Sequence, residues 1–417
     1  MNTIIFVVFC AVYAGMILGG LPFLQLDRTG IALLGAIALI GVGSVSPEEA
    51  AKSVHLPTLI LLFSFMVVSA QMRLGGFYDW VTRYVAALPL SPPRLLAAFI
   101  VLVAALSAVF SNDIVCLTVA PVLIGACLRR RLNPVPYLLA LACAANVGSA
   151  ATLIGNPQNM LIGETLKLSF RGYFAQALGP VVLGLAVIWG VIAWQTRGNW
   201  AIHDGDAGYL ATPGQREDES YSLDRWQTAK GLLIAAVLVA VFVFVPAWPR
   251  DVAALTGAGL LLMSRKLHSK EMLGLVDWEL LILFIGLFVV NHALLKTGIV
   301  AGSVADLAAM DVDLHHLGPL FAMTLVLSNV VSNVPAVMLL LPLASHALAG
   351  PTLALVSTFA GNLLIVGSIA NIIVVNAAAR SAIRITWKRH ALVGLPVTLA
   401  TLAICAGSLW WGAFPAT

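Results

Sequence analysis

Charged side chains are scarce in this chain of 417 residues. Asp, Glu, Lys and Arg together make up 10% of it, whereas 60% of the residues are apolar. A soluble domain carries about 25% charged residues, and the mean hydropathy of +0.97 is far above that of such a domain. The composition therefore excludes an ordinary soluble protein and indicates an integral membrane protein.

Cysteine is also scarce, and its spacing is not that of a metal site. The five cysteines form no CxxC or Cys/His pattern, so the sequence predicts neither a metal nor a cofactor. No nucleophile and base pair stands out at membrane depth, which argues against an intramembrane enzyme. The net charge of +4 fits Lys- and Arg-rich cytoplasmic loops, so we expect membrane lipid, not nucleic acid, around the protein.

Apolar segments of about 17–25 residues, long enough for a hydrocarbon core of about 30 Å, recur along the chain. In the first half we predict spans at 3–24, 29–46, 57–75 and 172–195. Between the third and fourth of these lie an amphipathic piece, a re-entrant hairpin and a broken helix, at 77–89, 94–128 and 135–168. The hairpin consists of two short arms, 94–110 and 114–128, around a polar tip.

The second half repeats this order after a polar segment, 196–228, which we interpret as a cytoplasmic linker. Its predicted elements are spans at 229–246, 252–264, 279–295 and 391–412, an amphipathic piece at 299–309, a hairpin at 315–348 and a broken helix at 351–379. The chain therefore divides into a first repeat, 1–195, and a second repeat, 229–417.

Matched residues support the repeat. Ser111-Asn112 precedes Ser332-Asn333 by 221 positions, and Gly155 precedes Gly367 by 212. Each half contains an odd number of crossings, which makes the two repeats inverted, as in many secondary transporters. The predicted fold is all-α, with about ten transmembrane helices besides the hairpins and broken helices.

The positive-inside rule tests this topology independently. Eighteen of the 23 Lys and Arg residues fall on one predicted side. The other five, on the opposite side, are Lys52, Lys167, Arg171, Arg250 and Lys296. The imbalance predicts a multi-pass protein of a bacterial-type inner (plasma) membrane, with both termini on the periplasmic side. The first hairpin then enters from the cytoplasm and the second from the periplasm.

Polar residues at membrane depth are unfavourable unless they line a cavity or bind something. Here they gather at the two hairpin tips and the two helix breaks, which inversion would bring together near the midplane. The predicted substrate-binding residues are Ser111, Asn112, Asp113, Thr152, Gly155, Asn156, Asn159, Ser332, Asn333, Gly367, Ser368 and Asn371. The alternative is that the Ser, Thr and Asn side chains only cap helices.

Asp113 is the only carboxylate within these four motifs. We therefore predict that it carries the coupling proton or cation, with helix capping or contact with water as the alternative. Two other acidic residues are expected to have structural roles: Glu164, after the first break, marks an interface, and Asp277 lies at the end of a span.

The tip Ser111-Asn112-Asp113, followed by Pro121, and the run from Asn146 to Asn159 (NVGSAATLIGNPQN) resemble the ion transporter superfamily. The resemblance is to its arsenite-permease and sodium/proton-antiporter branch, with a citrate-transporter-like domain. It implies an elevator-type transporter, commonly a homodimer, that binds substrate between the tips and the breaks. The divalent anion/sodium symporters are more distant, because their tips read Ser-Asn-Thr.

The functional prediction follows from the absence of Lys and Arg in the four motifs. Arsenite and antimonite are mostly uncharged trihydroxides at neutral pH, and amides and hydroxyls suit such solutes. We therefore predict a secondary active transporter that exports arsenite or antimonite in exchange for protons. A sodium/proton antiporter and a transporter of inorganic anions or dicarboxylates remain as alternatives, so the coupling ion is H⁺ or Na⁺. A passive channel would give no uphill accumulation.

The predicted topology determines from which side of the membrane a reagent should reach each reporter residue. Cysteine or lysine reporters placed in 196–228 and in 380–389 should react with membrane-impermeant reagents from the cytoplasm, and a reporter at Thr417 from outside, because of the Lys and Arg imbalance. Labelling of intact cells compared with everted vesicles measures this. Reaction of residue 417 from the cytoplasm would contradict the inverted topology.

Overall fold

The computed structural model describes residues 1–20, 25–202 and 223–410. Within these ranges the chain is helical, without a β-strand, and seven helices are long and apolar enough to cross a membrane. Shorter apolar helices accompany them. The prediction of an all-α integral membrane protein is therefore confirmed.

In the described part of the first half, residues 1–20 and 25–202, there are ten α-helices. They are α1 (Asn2–Leu18), α2 (Arg28–Gly41), α3 (Pro47–Ser53), α4 (Leu56–Leu74), α5 (Phe77–Ala87), α6 (Pro92–Val109), α7 (Asn112–Arg129), α8 (Pro134–Ser149), α9 (Pro157–Thr165) and α10 (Phe170–Gln195).

Residues 223–410 of the second half contain ten more, and their breaks come in the same order. They are α11 (Arg225–Phe244), α12 (Arg250–Leu262), α13 (Ser269–Leu273), α14 (Trp278–Lys296), α15 (Ile299–Ala309), α16 (Leu317–Val331), α17 (Asn333–Leu340), α18 (Ala349–Ala360), α19 (Ile369–Arg380) and α20 (Trp387–Trp410). Each helix from α1 to α10 thus has a counterpart ten helices later.

Local chemistry sets the ends of these helices. Pro157 begins α9, where its missing N–H is not needed, and the Asn156 side chain caps the helix by accepting from the Asn159 N–H at 2.9 Å. Asp224 likewise caps α11 through the N–H groups of Trp226 and Gln227. The helix therefore begins within the predicted linker, whose residues 203–222 lie outside the described ranges, as do 21–24 and 411–417.

The helices pack in two groups. In the first, the scaffold group, α4 packs on α12 as α14 packs on α2, and α1 and α11 join them. In the second, the hairpin group, α6 packs on α8 as α16 packs on α18, α7 packs on α19, and α10 packs on α20. The pairs are related by the exchange of each helix with its counterpart, so the repeat read from the sequence is also a symmetry of the packing.

Glycine allows close approach within the scaffold group. A Cβ atom at Gly286 on α14 would lie 2.7 Å from the backbone carbon of Ala32 on α2. Backbone cannot move aside as a flexible side chain can. Small residues at helix crossings give membrane helices their van der Waals packing, so Gly286 fixes the distance between α2 and α14.

We expect Gly286→Ala to lower the stability of the folded protein by about 1–3 kcal/mol, since an inserted methyl overpacks this crossing. Thermal unfolding in detergent measures the change. Gly259→Ala is the matched control, because a Cβ at this helical glycine meets nothing within 4 Å. Equal melting temperatures for the two variants would contradict the assigned contact.

Candidate functional site

Asn146, on α8, lies where the broken helices of the two halves meet. Its Nδ2 donates to Asn362 Oδ1 at 2.9 Å and to Asn371 Oδ1 at 3.2 Å. Its Oδ1 accepts from Ser368 Oγ at 2.8 Å and from Asn112 Nδ2 at 3.4 Å. All five side chains are buried. We call these five residues the amide cluster; it joins the first hairpin tip to the second helix break.

The first helix break is held in the same way by the second half. Thr358 on α18, which follows Asn146 by the same 212 positions as Gly367 follows Gly155, accepts from Asn156 Nδ2 at 3.3 Å and from Gln158 Nε2 at 3.2 Å. Each half therefore supplies a polar side chain that supports the broken helix of the other half.

Two asparagines tie each break to its own backbone. Asn159 Nδ2 donates to the carbonyl of Thr152 at 3.0 Å, and Asn371 Nδ2 donates to the carbonyl of Leu364 at 3.0 Å. Asn159 also donates to the Tyr173 hydroxyl at 3.1 Å. These bonds pair carbonyls that the interrupted helices leave without partners, so both asparagines have a structural function whatever else they bind.

The hairpin tips contact the glycines of the breaks. The Asn112 N–H donates to the Gly155 carbonyl at 3.3 Å. With its amide oriented to satisfy both atoms, Asn333 Nδ2 donates to the carbonyls of Gly367 at 3.3 Å and Ser357 at 2.9 Å. Each tip is thus attached to the break of its own repeat.

Close approach explains the glycine at position 155. A Cβ there would lie 2.3 Å from the Ser149 carbonyl and 2.7 Å from the Ser107 carbonyl. Thr152 fixes the same contact from the other side, because its hydroxyl donates to the carbonyl of Ala108 on α6. The break and the first hairpin are therefore packed backbone against backbone.

The two tips differ in backbone strain. Ser111 has a φ of −54°, whereas Ser332 has a φ of +78° and a ψ of 162°. That second conformation is found almost only for glycine, and it persists where the surrounding structure enforces it. The tips are therefore not equivalent, although their sequences match.

Asp113 is not part of the amide cluster. It lines a cavity of about 260 Å³, and its side chain has no hydrogen bond or ion pair with the residues that the structure describes. The other lining residues are Ala70, Arg73, Ile114, Leu117, Gly274, Leu275, Asp277 and Ile373. Asp277 also caps α14, as expected for the end of a span, but its place beside Asp113 was not foreseen from the sequence.

The cavity lies between the two groups of helices. It separates Asp113 on α7 from Arg73 at the end of α4. The symmetry-related helices are in contact, since α17 packs on α14, and α9 also packs on α4. The two groups are therefore separated by a cavity beside Arg73, on the predicted cytoplasmic side, and are in contact through α17 and α14 on the other side.

Several buried polar atoms near the tips and breaks have no partner within the described residues. They are Ser107 Oγ, Asn112 Oδ1, Asn159 Oδ1, Ser328 Oγ, Asn329 Oδ1 and Asn362 Nδ2. Unpaired polar atoms are unfavourable at this depth, and a bound solute could pair with them. Ser107 and Ser328 are related by the 221-position offset, so this feature too follows the repeat.

The sequence reasoning missed three members of this region. Asn146 was part of the run that carried the family resemblance but was not selected as a site residue, and Asn362 and Thr358 were not considered. A single amide within the apolar helix α8 was the available signal for Asn146. No such local signal marks Thr358, because threonines often bond their own helix backbone, as Thr358 also does at 2.7 Å.

A helical membrane protein in which two broken helices and two hairpins converge on buried polar side chains belongs to the class of solute transporters. A crystal structure of the YdaH transporter from Alcanivorax borkumensis has the same fold, with a TM-score of 0.55, 13% sequence identity and coverage of 99% of this chain and 98% of that one. The family model described as citrate transporter (CitMHS) matches residues 4–360. The chain belongs to this family, within the ion transporter superfamily.

Relatives of the full length agree with this class. The silicon efflux transporter LSI3 from Oryza sativa subsp. japonica is 30% identical over 92% of each chain. An uncharacterized transporter of Mycobacterium tuberculosis is 29% identical over 93% of this chain and 94% of its own. A putative transporter named arsB from Dictyostelium discoideum is 23% identical over 91% and 87%. The family and these relatives are transporters, not enzymes, and the protein is a secondary transporter.

We expect Asn146→Ala to weaken substrate binding about 5- to 150-fold, because loss of a buried amide partner costs about 1–3 kcal/mol. Isothermal titration on purified protein measures it once a ligand is identified. Gln71→Ala is the control: this buried amide pairs with Gln227 between α4 and α11, away from the cluster. An affinity lost equally in both variants would mean that Asn146 only stabilises the fold.

Proposed function

We propose that the protein exports a small, uncharged, hydroxylated inorganic acid of the arsenite or antimonite type in exchange for protons. The observation that carries this proposal is the chemistry of the amide cluster. Its hydrogen bonds involve amides, a hydroxyl and backbone carbonyls, which donate to and accept from hydroxyl groups without requiring a charge.

The unpaired atoms near the tips support a hydroxylated solute. Asn112 Oδ1 and Asn329 Oδ1 can accept from hydroxyl groups, and Asn362 Nδ2 can donate to them. A trihydroxide offers three donors and several lone pairs in a compact volume. The set of free donors and acceptors is therefore matched to such a molecule better than to an anion, which only accepts.

The names of two relatives point to the same chemistry. One is called a silicon efflux transporter and another arsB, and each covers about nine-tenths of this chain at an identity that leaves the substrate open. The family description, citrate transporter, points instead to a tricarboxylate. Such an anion would need cationic partners, and among the residues that the structure describes only Arg73 brings a guanidinium to the cavity.

Coupling is assigned to Asp113. It lies one residue after Asn112 at the first tip and faces the cavity on the predicted cytoplasmic side. A carboxylate so placed can exchange a proton with water while its neighbour contacts substrate. We further propose an elevator-type movement of the hairpin group against the scaffold group, in a homodimer of a bacterial-type inner membrane.

A sodium/proton antiporter is the second candidate. Asp277 lines the same cavity as Asp113, and two carboxylates in one cavity are hard oxygen ligands suited to a small cation. This reading gives the amide cluster a structural role and leaves the carboxylates as the binding groups.

The test uses everted membrane vesicles with an imposed pH gradient and the variant Asp113→Asn. In the wild-type protein the gradient should drive arsenite accumulation. In the variant, arsenite should still equilibrate down its own gradient but should not accumulate, because a carrier that never changes protonation gains nothing from a proton gradient. Both rates are measured on the same preparation.

Glu271→Gln is the control, since this exposed carboxylate on α13 lies outside the cavity lining, and it should accumulate arsenite normally. Sodium binding is measured in parallel: a sharp loss of it in Asp113→Asn, without arsenite transport by the wild type, would favour the antiporter. Undiminished accumulation by Asp113→Asn would remove Asp113 from the coupling mechanism.

A further inference from the structure

A buried ion pair lies on the predicted periplasmic side, whereas the cavity lies beside Arg73 on the predicted cytoplasmic side. Arg250 Nε lies 2.8 Å from Glu164 Oε1, and Arg250 Nη2 donates to the Gly163 carbonyl at 2.8 Å. The Glu164 side chain is only 4% exposed and that of Arg250 14%. Lys167 also approaches Glu164, at 3.7 Å, but is 73% exposed. Glu164, which the sequence predicts at an interface, thus contacts α12 from α9.

The pair connects the two groups of helices. Glu164 lies on α9, which forms the first broken helix together with α8 of the hairpin group and also packs on α4. Arg250 is the first residue of α12 in the scaffold group. Both residues lie on the side predicted to be periplasmic. Any movement that opens this side must separate the two charges, and breaking a buried pair is strongly unfavourable.

The symmetry-related position lacks the pair. Glu164 lies five residues after Asn159, and the residue five after Asn371 is Asn376, which is exposed. Arg250 begins α12, and its counterpart Arg28 begins α2. Within the described residues Arg28 takes part in no ion pair. The first repeat thus contributes Glu164 and Arg28, and the second contributes Asn376 and Arg250. Only one of the two equivalent places therefore has a carboxylate opposite its guanidinium.

Because the repeats are inverted, the difference between Glu164 and Asn376 affects the two conformations of the protein differently. When the protein opens to the opposite side, the two repeats exchange conformations, so Asn376 and Arg28 would meet in place of Glu164 and Arg250. We propose that the Glu164–Arg250 pair is a latch that holds the outer side closed, and that Asn376 in the equivalent place makes the inward-open state the resting state.

A transporter that rests open to the cytoplasm loads its solute there, as an exporter requires. The latch proposal rests on the proposed function only in assuming two alternating states. It does not depend on which solute is carried.

The experiment measures accessibility of the outer side without substrate. A reporter, Met338→Cys, is placed on α17, which packs on α14, in a background with the exposed Cys10 changed to Ser; the other four cysteines are buried. The probe is a membrane-impermeant maleimide added from outside. We expect Glu164→Gln to speed labelling about fivefold or more, since it removes the preference for the closed side.

A second variant, Asn376→Glu, tests the asymmetry while leaving the latch intact. It should also speed labelling, because Arg28 would then gain a carboxylate partner in the outward-open state. Glu49→Gln is the matched control. Glu49 on α3 pairs with His292 and Lys296 on the same predicted side, but both partners lie on α14, on which α3 packs, and neither lies on a hairpin or a broken helix, so labelling should not change.

Unchanged labelling in folded Asn376→Glu overturns the proposal, even if Glu164→Gln fails to fold. Faster labelling in Glu49→Gln as well would overturn it too, because any outer ion pair would then have the same effect. Failure of arsenite transport with the expected labelling pattern would refute the proposed substrate and leave the latch standing.

Discussion

Hydrogen bonding of the polar groups exposed by two interrupted helices is the constraint on which the rest of this structure depends. Lipid offers no partners, so each break must be completed by protein. Asn146 meets this need for the second break and Thr358 for the first, while Asn159 and Asn371 pair carbonyls within each break. The breaks can therefore exist only when both halves are present and correctly packed, which makes the amide cluster a support for the fold as well as a candidate binding site.

Two consecutive residues at the first tip carry a neutral and an ionisable side chain. Asn112 points into the amide cluster, and its neighbour Asp113 faces the cavity. Successive residues of a helix point in different directions, so a single tip can contact a solute on one face and exchange a proton on the other. This arrangement gives a physical route for coupling, since movement of α7 would displace both side chains together.

The differences between the repeats are as informative as their likeness. Ser332 has a strained backbone conformation, whereas its counterpart Ser111 does not. Glu164 pairs with Arg250, whereas the residue equivalent to Glu164 in the second repeat is the uncharged Asn376. A perfectly symmetric chain would have two end states of equal energy. The Glu164 carboxylate in the first repeat and the strained Ser332 in the second have no equivalent in the other repeat, so the two end states need not be equal in energy.

Sequence alone determined the elements and their order, because apolar length and Gly-Asn-Pro interruptions are local properties: α4, α10, α14 and α20 lie close to the predicted spans, and α8 and α9 flank the predicted break. It also predicted Asn112, Ser368 and Asn371 as site residues, since polar residues at membrane depth stand out, and these three lie in the amide cluster. Only the tertiary structure decided their partners. The link of Asn146 to Asn362 spans 216 residues, and the pairing of Glu164 with Arg250 joins different repeats. Such contacts depend on how helices cross, which no local pattern encodes.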